Sequence, residues 1–339
     1  MTQLVHASLR GVQRRLAELL HAGNGGGADG AVGVGGASIE ASHTTSMEPP
    51  RLVAAQVIEG HAPRAHRVRG EPTPEFAGFL DGTQQSHVVR YEAGMPIVFG
   101  TVAAVIRVRR NRRLVTWGRG PLVARSVYAP CAHLPAPVVD ALFALGVRVV
   151  DTTLPDEHGE IPPPHPLALL DRAVHRVQAD REATERELAE AWCRAEGDPL
   201  FVDGSIQGSE RVATASCVAG VVKSHRTLYV DGDALRVVLS LPVGHRSSVF
   251  RIAIGRRAPV ASWYLRLRDP AGRDPMWGLV RVEASLPDAG AAPGALAERA
   301  ETISCRVLAE VTPLALPDGR WDKMVYGIRD CEEFLRAVC

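Results

Sequence analysis

Phe79-Leu80-Asp81-Gly82-Thr83 and Phe201-Val202-Asp203-Gly204-Ser205 share one pattern, an apolar run that stops on Asp-Gly-Ser/Thr. Such a run reads as the end of a buried strand, and the Gly after it lets the backbone turn sharply. Each Asp is thereby expected at the mouth of a sheet with its carboxylate facing outward. Two aspartates delivered from separate strand ends suit a metal-dependent phosphodiesterase. Divalent cations prefer hard oxygen ligands, and two ions about 3.5–4 Å apart can clamp the attacking and leaving oxygens. Asp-Gly is also plain turn chemistry, and Leu228-Tyr229-Val230-Asp231-Gly232 is a looser third copy without the hydroxyl residue. The close match of the first two copies shifts the balance towards a site.

Composition sets the limits around this pair. A chain of 339 residues can bury a full core as one large domain or two small ones. Its 46% hydrophobic and 23% charged content is ordinary for a globular protein, and a formal net charge of +1 argues neither for nor against nucleic acid. The six cysteines include no Cys-x-x-Cys pair, which disfavours a zinc ribbon or a secreted disulfide framework and fits a reducing compartment. No apolar stretch approaches the roughly 18 residues of a membrane span, and the N-terminus lacks a signal-peptide core. The expectation is a soluble, cytoplasmic protein with no membrane contact.

Residues 3–21 have roughly helical apolar spacing, and residues 23–46 form a Gly-, Ala- and Ser-rich linker. Residues 1–75 are thus expected to be an N-terminal extension and residues 76–339 the folded body. Strands are expected at 76–81, 88–91, 97–108 and 147–151, with a helix at 135–145. Arg107 to Val115 reads as a hairpin tip with five arginines, either a solvated turn or a DNA-backbone contact through Arg109, Arg110, Arg112 and Arg113. A long helix is expected over 166–194, with Leu170, Ala173, Val174, Val177, Leu188, Ala191 and Trp192 on one stripe. Arg181 falls within that stripe and Glu185 on its edge, whereas Glu187 and Glu190 point away. A carboxylate there needs a positive partner or a metal, and an i,i+4 pair with Arg181 is as good a reading as a catalytic role. The stretch 214–241 reads as strand-rich. Further strands are expected at 249–254, 263–267 and 279–282, and helices at 292–308 and 330–338. His61, His66 and His165 lack metal-ligand spacing with nearby acids.

An ordered set of segments resembles the NurA-type nuclease family, partners of HerA-type hexameric DNA translocases. The set comprises Leu80-Asp81-Gly82-Thr83-Gln84, Arg181-x-x-x-Glu185, Phe201-Val202-Asp203-Gly204-Ser205 and Gly220-Val221-Val222-Lys223-Ser224. Ser262-Trp263-Tyr264-Leu265-Arg266-Leu267, Gly278-Leu279-Val280-Arg281-Val282-Glu283 and Arg320-Trp321-x-Lys323-x-x-Tyr326-x-Ile328 follow in order. The resemblance covers about residues 76–336. It implies an α/β fold, an RNase H-like mixed sheet flanked by helices, with acidic residues binding Mn²⁺ or Mg²⁺. It also implies a homodimer that processes DNA ends in repair and end resection, by 5′-to-3′ exonuclease and single-strand endonuclease activity, beside a HerA-like ATPase. Carried over by motif, Asp81, Glu185 and Asp203 would be metal ligands, and Lys223 would neutralise the scissile phosphate. Arg266 falls on a matching strand as a further DNA contact, and Glu283 and Tyr326 match without an assigned role. Gly327 stands where the family has Pro, and no His follows His245, so a terminal catalytic His does not transfer.

Two other readings remain beside this one. A non-catalytic RNase H-like subunit would dock a translocase, but would be expected to lose one of the three acids. Another RNase H-like nuclease, acting in phage defence, would keep them. No Gly-x-x-x-x-Gly-Lys-Ser/Thr motif is present, so ATP-driven movement would need a partner.

Overall fold

The computed structural model of the protein describes residues 8–23, 32–33, 49–155, 159–255, 257–288, 290, 292, 294–311 and 322–338. Most of the Gly-rich linker and the Arg320-Trp321 pair lie outside these residues.

Three antiparallel strands, β1 (Gly78–Glu92), β2 (Met95–Arg110) and β3 (Leu122–Ala129), form a meander, and β4 (Arg148–Asp151) joins β3 in parallel at one edge. On the other side of β1, β5 (Leu200–Asp203) and β6 (Val218–Val222) run parallel to it and to each other. β7 (Val260–Arg266) and β8 (Leu279–Ala284) extend the sheet with antiparallel pairing, so the order is β7-β8-β6-β5-β1-β2-β3-β4. The expected mixed sheet is present.

Side chains alternate across it as pleating requires. Phe79 and Phe201 enter one apolar cluster, and Leu80 and Val202 enter the other. β2 is buried on both faces from Pro96 to Ile106, as an apolar, β-branched central strand should be.

The helices are α1 (Leu9–Gly23), α2 (Ala136–Phe143), α3 (Pro166–Ala195), α4 (Ala295–Val311) and α5 (Tyr326–Val338). α3 packs on the Leu80 face and α4 and α5 on the Phe79 face. The buried stripe of α3 is Leu169, Leu170, Ala173, Val177, Leu188, Ala189 and Trp192, close to the expected one. His165 caps the start of α3, where its Nδ1 accepts from Leu167 N, a structural use for that histidine. Two anchors fix the second half of α3. Tyr128 donates its hydroxyl to Asp180 Oδ2 at 2.6 Å, and the Trp192 indole donates to Asp198 O at 3.0 Å. α5 reaches the sheet at Gly327, where any Cβ would overlap the Phe79 ring. That close approach explains the Gly at this position.

Four expectations are corrected. β1 is one continuous strand, so Asp81 lies near its start and not at its end. Residues 232–239 are helical, because Ala234, Leu235, Val238 and Leu241 meet the core at helical spacing. Packing also begins before residue 76. α1 buries Val12 and Leu16 against Val89, Ile97, Phe99 and Leu142, and residues 56–57 and 65–67 pair with strands at 250–252 and 245–247. Thr214 belongs to a short helix over Glu210–Thr214 that precedes β6.

Candidate active site

Register brings the two aspartates together. β5 pairs with β1 so that Val202 lies opposite Leu80, which puts Asp203 beside Asp81 on the Phe79–Phe201 face. The two copies of the motif then diverge. Gly204 has φ +132° and turns the chain out of the sheet, as the sequence pattern implies. Gly82 stays in the strand, paired with Ala104. Its value is space. A Cβ there would sit 2.8 and 2.9 Å from Glu185 Cγ and Cδ, so the missing side chain is the seat of the Glu185 carboxylate. α3 thus sets Glu185, and not the exposed Glu187, over Gly82 on the Leu80 face, across the sheet from the aspartates but within electrostatic reach of them.

Asp81 is 7% exposed. Burial, followed by the neighbouring Asp203 charge, holds its proton affinity well above the usual carboxylate range, with Lys223 acting in the opposite direction. Burial also pushes Glu185 up to about 7, against the pull of Arg181, which pairs with it directly. Lys223 Nζ donates to Asp203 Oδ2 at 2.7 Å, and Lys323 Nζ reaches the Lys223 carbonyl at 3.1 Å. Three carboxylates therefore face two directly paired cations, and burial leaves the cluster short of positive charge.

Among the described residues no three His, Cys, Asp or Glu side chains converge closely enough to hold an ion as they stand. Asp203 and Glu185 are turned to Lys223 and Arg181. The donor set nevertheless fits a hard divalent cation, being all carboxylate oxygen with a deficit of positive charge. Asp81, Asp203 and Glu185 would hold it. When bound, such an ion supplies charge neutralisation at phosphate and lowers the pKa of a coordinated water.

The charge deficit has a measurable sign. The folded pKa of Glu185 is raised from 4.5 to about 7. Its contribution to stability is therefore fully present below about pH 4.5 and is lost as pH rises through 7. In chelator-treated protein, Glu185→Gln should gain on wild type over that window and level off above it. The gain should reach at most about 3 kcal/mol. Denaturant titrations at several pH values measure the gap directly. The comparison also cancels His225, whose burial lowers its pKa to about 4 and gives an opposing slope below pH 6.5 in both proteins.

Glu283 is a site residue whose role the sequence left open. It is fully buried and accepts from the Ser205 hydroxyl and from Ile206 N, both at 2.9 Å. Arg281 pairs with it from two residues away and lies over the Tyr229 ring at 4.8 Å. Glu283 therefore pins the turn that presents Asp203, which explains the hydroxyl residue in the second motif. The i,i+2 alternation of Arg281 and Glu283 on one strand face was the available signal.

Two expected DNA contacts are corrected. Arg109 is engaged inward. Its guanidinium bonds both oxygens of buried Glu310, at 3.0 and 2.7 Å, and the carbonyls of Pro74 and Phe76. Arg266 is fully buried and donates to the carbonyls of Leu239, Leu241, Pro275 and Trp277. It closes a helix C-terminus and a neighbouring turn. Arg107 likewise pairs with Asp330 at 2.5 Å. Arg110, Arg112 and Arg113 remain exposed on a two-residue turn in which Asn111 and Arg112 both have positive φ, the geometry that matches strand twist. Tyr326 is exposed at the start of α5.

No family model matches the chain, and no curated protein matches it in sequence. Among solved structures, the crystal structure of the NurA nuclease from Sulfolobus solfataricus aligns over 84% of this chain and 86% of its own, at 11% identity and a TM-score of 0.39. A likeness this distant fixes neither activity nor partner. Among the described residues no helix is long and apolar enough to cross a membrane.

Proposed function

We propose that the protein is a metal-dependent DNA nuclease with Asp81, Asp203 and Glu185 as its metal-binding carboxylates. The observation that carries this reading is the pairing of Asp81 and Asp203 on adjacent strands, with Glu185 received by Gly82 on the opposite face within electrostatic reach of both. Buried carboxylates without a full complement of partners are costly, and a fold that gathers three invites a cation. Lys223 is held on Asp203 as a fixed positive charge for phosphate, in the sense of electrostatic preorganisation.

The sequence resemblance supports the finer reading, 5′-to-3′ exonuclease and single-strand endonuclease action by a homodimer working beside a HerA-like ATPase. A non-catalytic docking subunit has no need to retain the three acids together. The test is end-labelled linear DNA incubated with Mn²⁺, with Mg²⁺ and with chelator. Cleavage that appears with either ion and vanishes on chelation supports the reading. DNA left intact under all conditions by folded, metal-loaded protein overturns it.

Arg110, Arg112 and Arg113 are the arginines of the hairpin left for the DNA backbone. Each phosphate deprived of its arginine lowers the salt slope of binding by about 0.9. Changing all three to Gln should lower the slope by about 2–3 on duplex DNA and spare cleavage chemistry at saturating DNA. Arg109→Gln should instead lower stability, since it leaves Glu310 buried without its partner. Fluorescence anisotropy across salt concentrations separates the two outcomes, and an unchanged slope removes the hairpin from the DNA path.

A further inference from the structure

The arginines of α3 are held by partners, with one exception. Arg172 donates to Glu160 O at 2.9 Å and Arg176 to Pro155 O at 3.0 Å, which ties the first half of the helix to the loop before it. Arg181 reaches Gln84 Oε1 at 3.2 Å besides pairing with Glu185, and Arg194 lies 3.8 Å from Glu190. Arg186 is exposed and has no hydrogen bond or ion pair among the described residues. Residues four apart on a helix face each other, so Glu182 and Glu190 are its natural partners. Both are engaged elsewhere. Glu182 accepts from Gln178 Nε2 at 2.9 Å and lies 3.8 Å from Arg181. Glu190 gives one oxygen to the Ser209 hydroxyl at 2.6 Å and the other to Arg194. The Arg186 guanidinium therefore stays free for an outside anion, and binding one breaks no internal pair.

Its position is set from both sides. Arg186 directly follows Glu185, and the Ser209–Glu190 bond fastens the turn that begins after Asp203 to the next turn of α3. Between these points Arg186 Nη1 lies 3.9 Å from where a Cβ on Gly208 would stand. Gly208 is exposed, its φ is outside the left-handed region, and apart from its chain neighbours no other atom comes within 4 Å of that point. Neither backbone conformation nor packing calls for glycine there. The absent side chain leaves the guanidinium beside an open stretch of backbone, a surface that a ligand can approach closely.

We propose that Arg186 is a substrate-contact residue that grips a backbone phosphate of the DNA strand entering the acidic site. A guanidinium presents its N–H donors in a planar fork that matches phosphate oxygens. Three carboxylates make this neighbourhood hostile to a polyanion, and the nearby cations Arg181 and Lys223 are already held by Glu185 and Asp203. Arg186 supplies the positive charge that they cannot. The proposal rests on the nuclease reading for the nature of its ligand.

The test is fluorescence anisotropy of a labelled DNA duplex with the full chain in chelator, across salt concentrations, so that binding is read without cleavage. Arg186→Gln should weaken binding about tenfold at moderate salt and lower the salt slope by about 0.9. Arg186→Lys keeps the charge and should retain the slope. In Mn²⁺, Arg186→Gln should raise KM about tenfold and hold kcat within about threefold. A residue that only braced Glu185 would instead lower kcat at unchanged affinity, and that result overturns the proposal. An exposed side chain without a partner can be replaced without loss of fold, which an unchanged melting temperature verifies. Equal salt slopes for wild type and Arg186→Gln overturn the contact and leave the nuclease reading standing. DNA binding that Arg186→Gln weakens, in a wild-type protein that cleaves with neither ion, supports the contact and overturns the nuclease reading.

Discussion

Asp203→Asn and Asp81→Asn should each lower DNA cleavage in Mn²⁺ by at least about 10³-fold, equal to about 4 kcal/mol of transition-state stabilisation. The size follows from position. Asp81 is almost fully buried at the fourth residue of a fifteen-residue strand, so its carboxylate cannot retreat into water or be replaced by a neighbour. Asp203 is held by Lys223 and by a turn that Glu283 fixes, so its removal leaves a half-buried ammonium without its acid. Asn keeps shape and hydrogen-bonding capacity but removes the charge that would bind the ion. Both variants should fold, and Asp81→Asn should melt higher than wild type in chelator, because it removes a carboxylate that burial holds protonated only at a cost. Rates on end-labelled DNA, read beside melting curves, check both statements. Wild-type cleavage by either folded variant would sink the two-aspartate site.

Gly82→Ala should nearly abolish cleavage and leave the fold intact. The new methyl group would take the space of Glu185 Cγ and Cδ, and the obstacle is the far end of a flexible side chain, which can swing aside. Ala in place of Gly within a strand also removes conformational freedom from the unfolded chain, a gain of about 0.5–1 kcal/mol. Stability should therefore hold or rise while activity falls about 10²-fold or more, matching Glu185→Gln. Glu187→Gln, on the solvent side of α3, should cleave at the wild-type rate. A Gly82→Ala protein that is active while Glu185→Gln is dead would show that Glu185 needs no such seat.

The parts of this site that were legible in the sequence are those set by local periodicity. The apolar run before Asp203, the stripe that put Glu185 on the core-facing edge and Glu187 outward, and the positions of several main strands along the chain all follow from spacing that one segment contains. What stayed hidden depended on distant partners. Arg109 looked like a surface arginine in a basic hairpin, and its partner Glu310 lies 201 residues away. Arg266 looked like a DNA contact on a matching strand until the carbonyls of Leu239 and Leu241 arrived beside it. Residues 235–241 alternate well enough to pass for a strand, and only the side of the core they meet makes them a helix. Gly82 and Gly204 are identical in the sequence pattern, yet one supplies a backbone angle and the other an absence of atoms.

The two fastenings of α3 carry an engineering consequence. The helix is bonded to the sheet at Asp180, just over one turn ahead of Glu185, and to the return that leads into β5 at Trp192, two turns beyond it. Glu185 therefore sits on a short span between two piers, and the stretch of helix before Asp180 has its own hold on the sheet through Leu170, Ala173 and Val177. Strain introduced ahead of the first pier is taken up there and does not travel to the carboxylate. The connection between β4 and α3, around residues 159–165, is accordingly the place to splice a reporter domain or open new termini with the chemistry preserved, whereas the same insertion in the return from Glu196 to Pro199 would shift the second pier and the strand that bears Asp203 together.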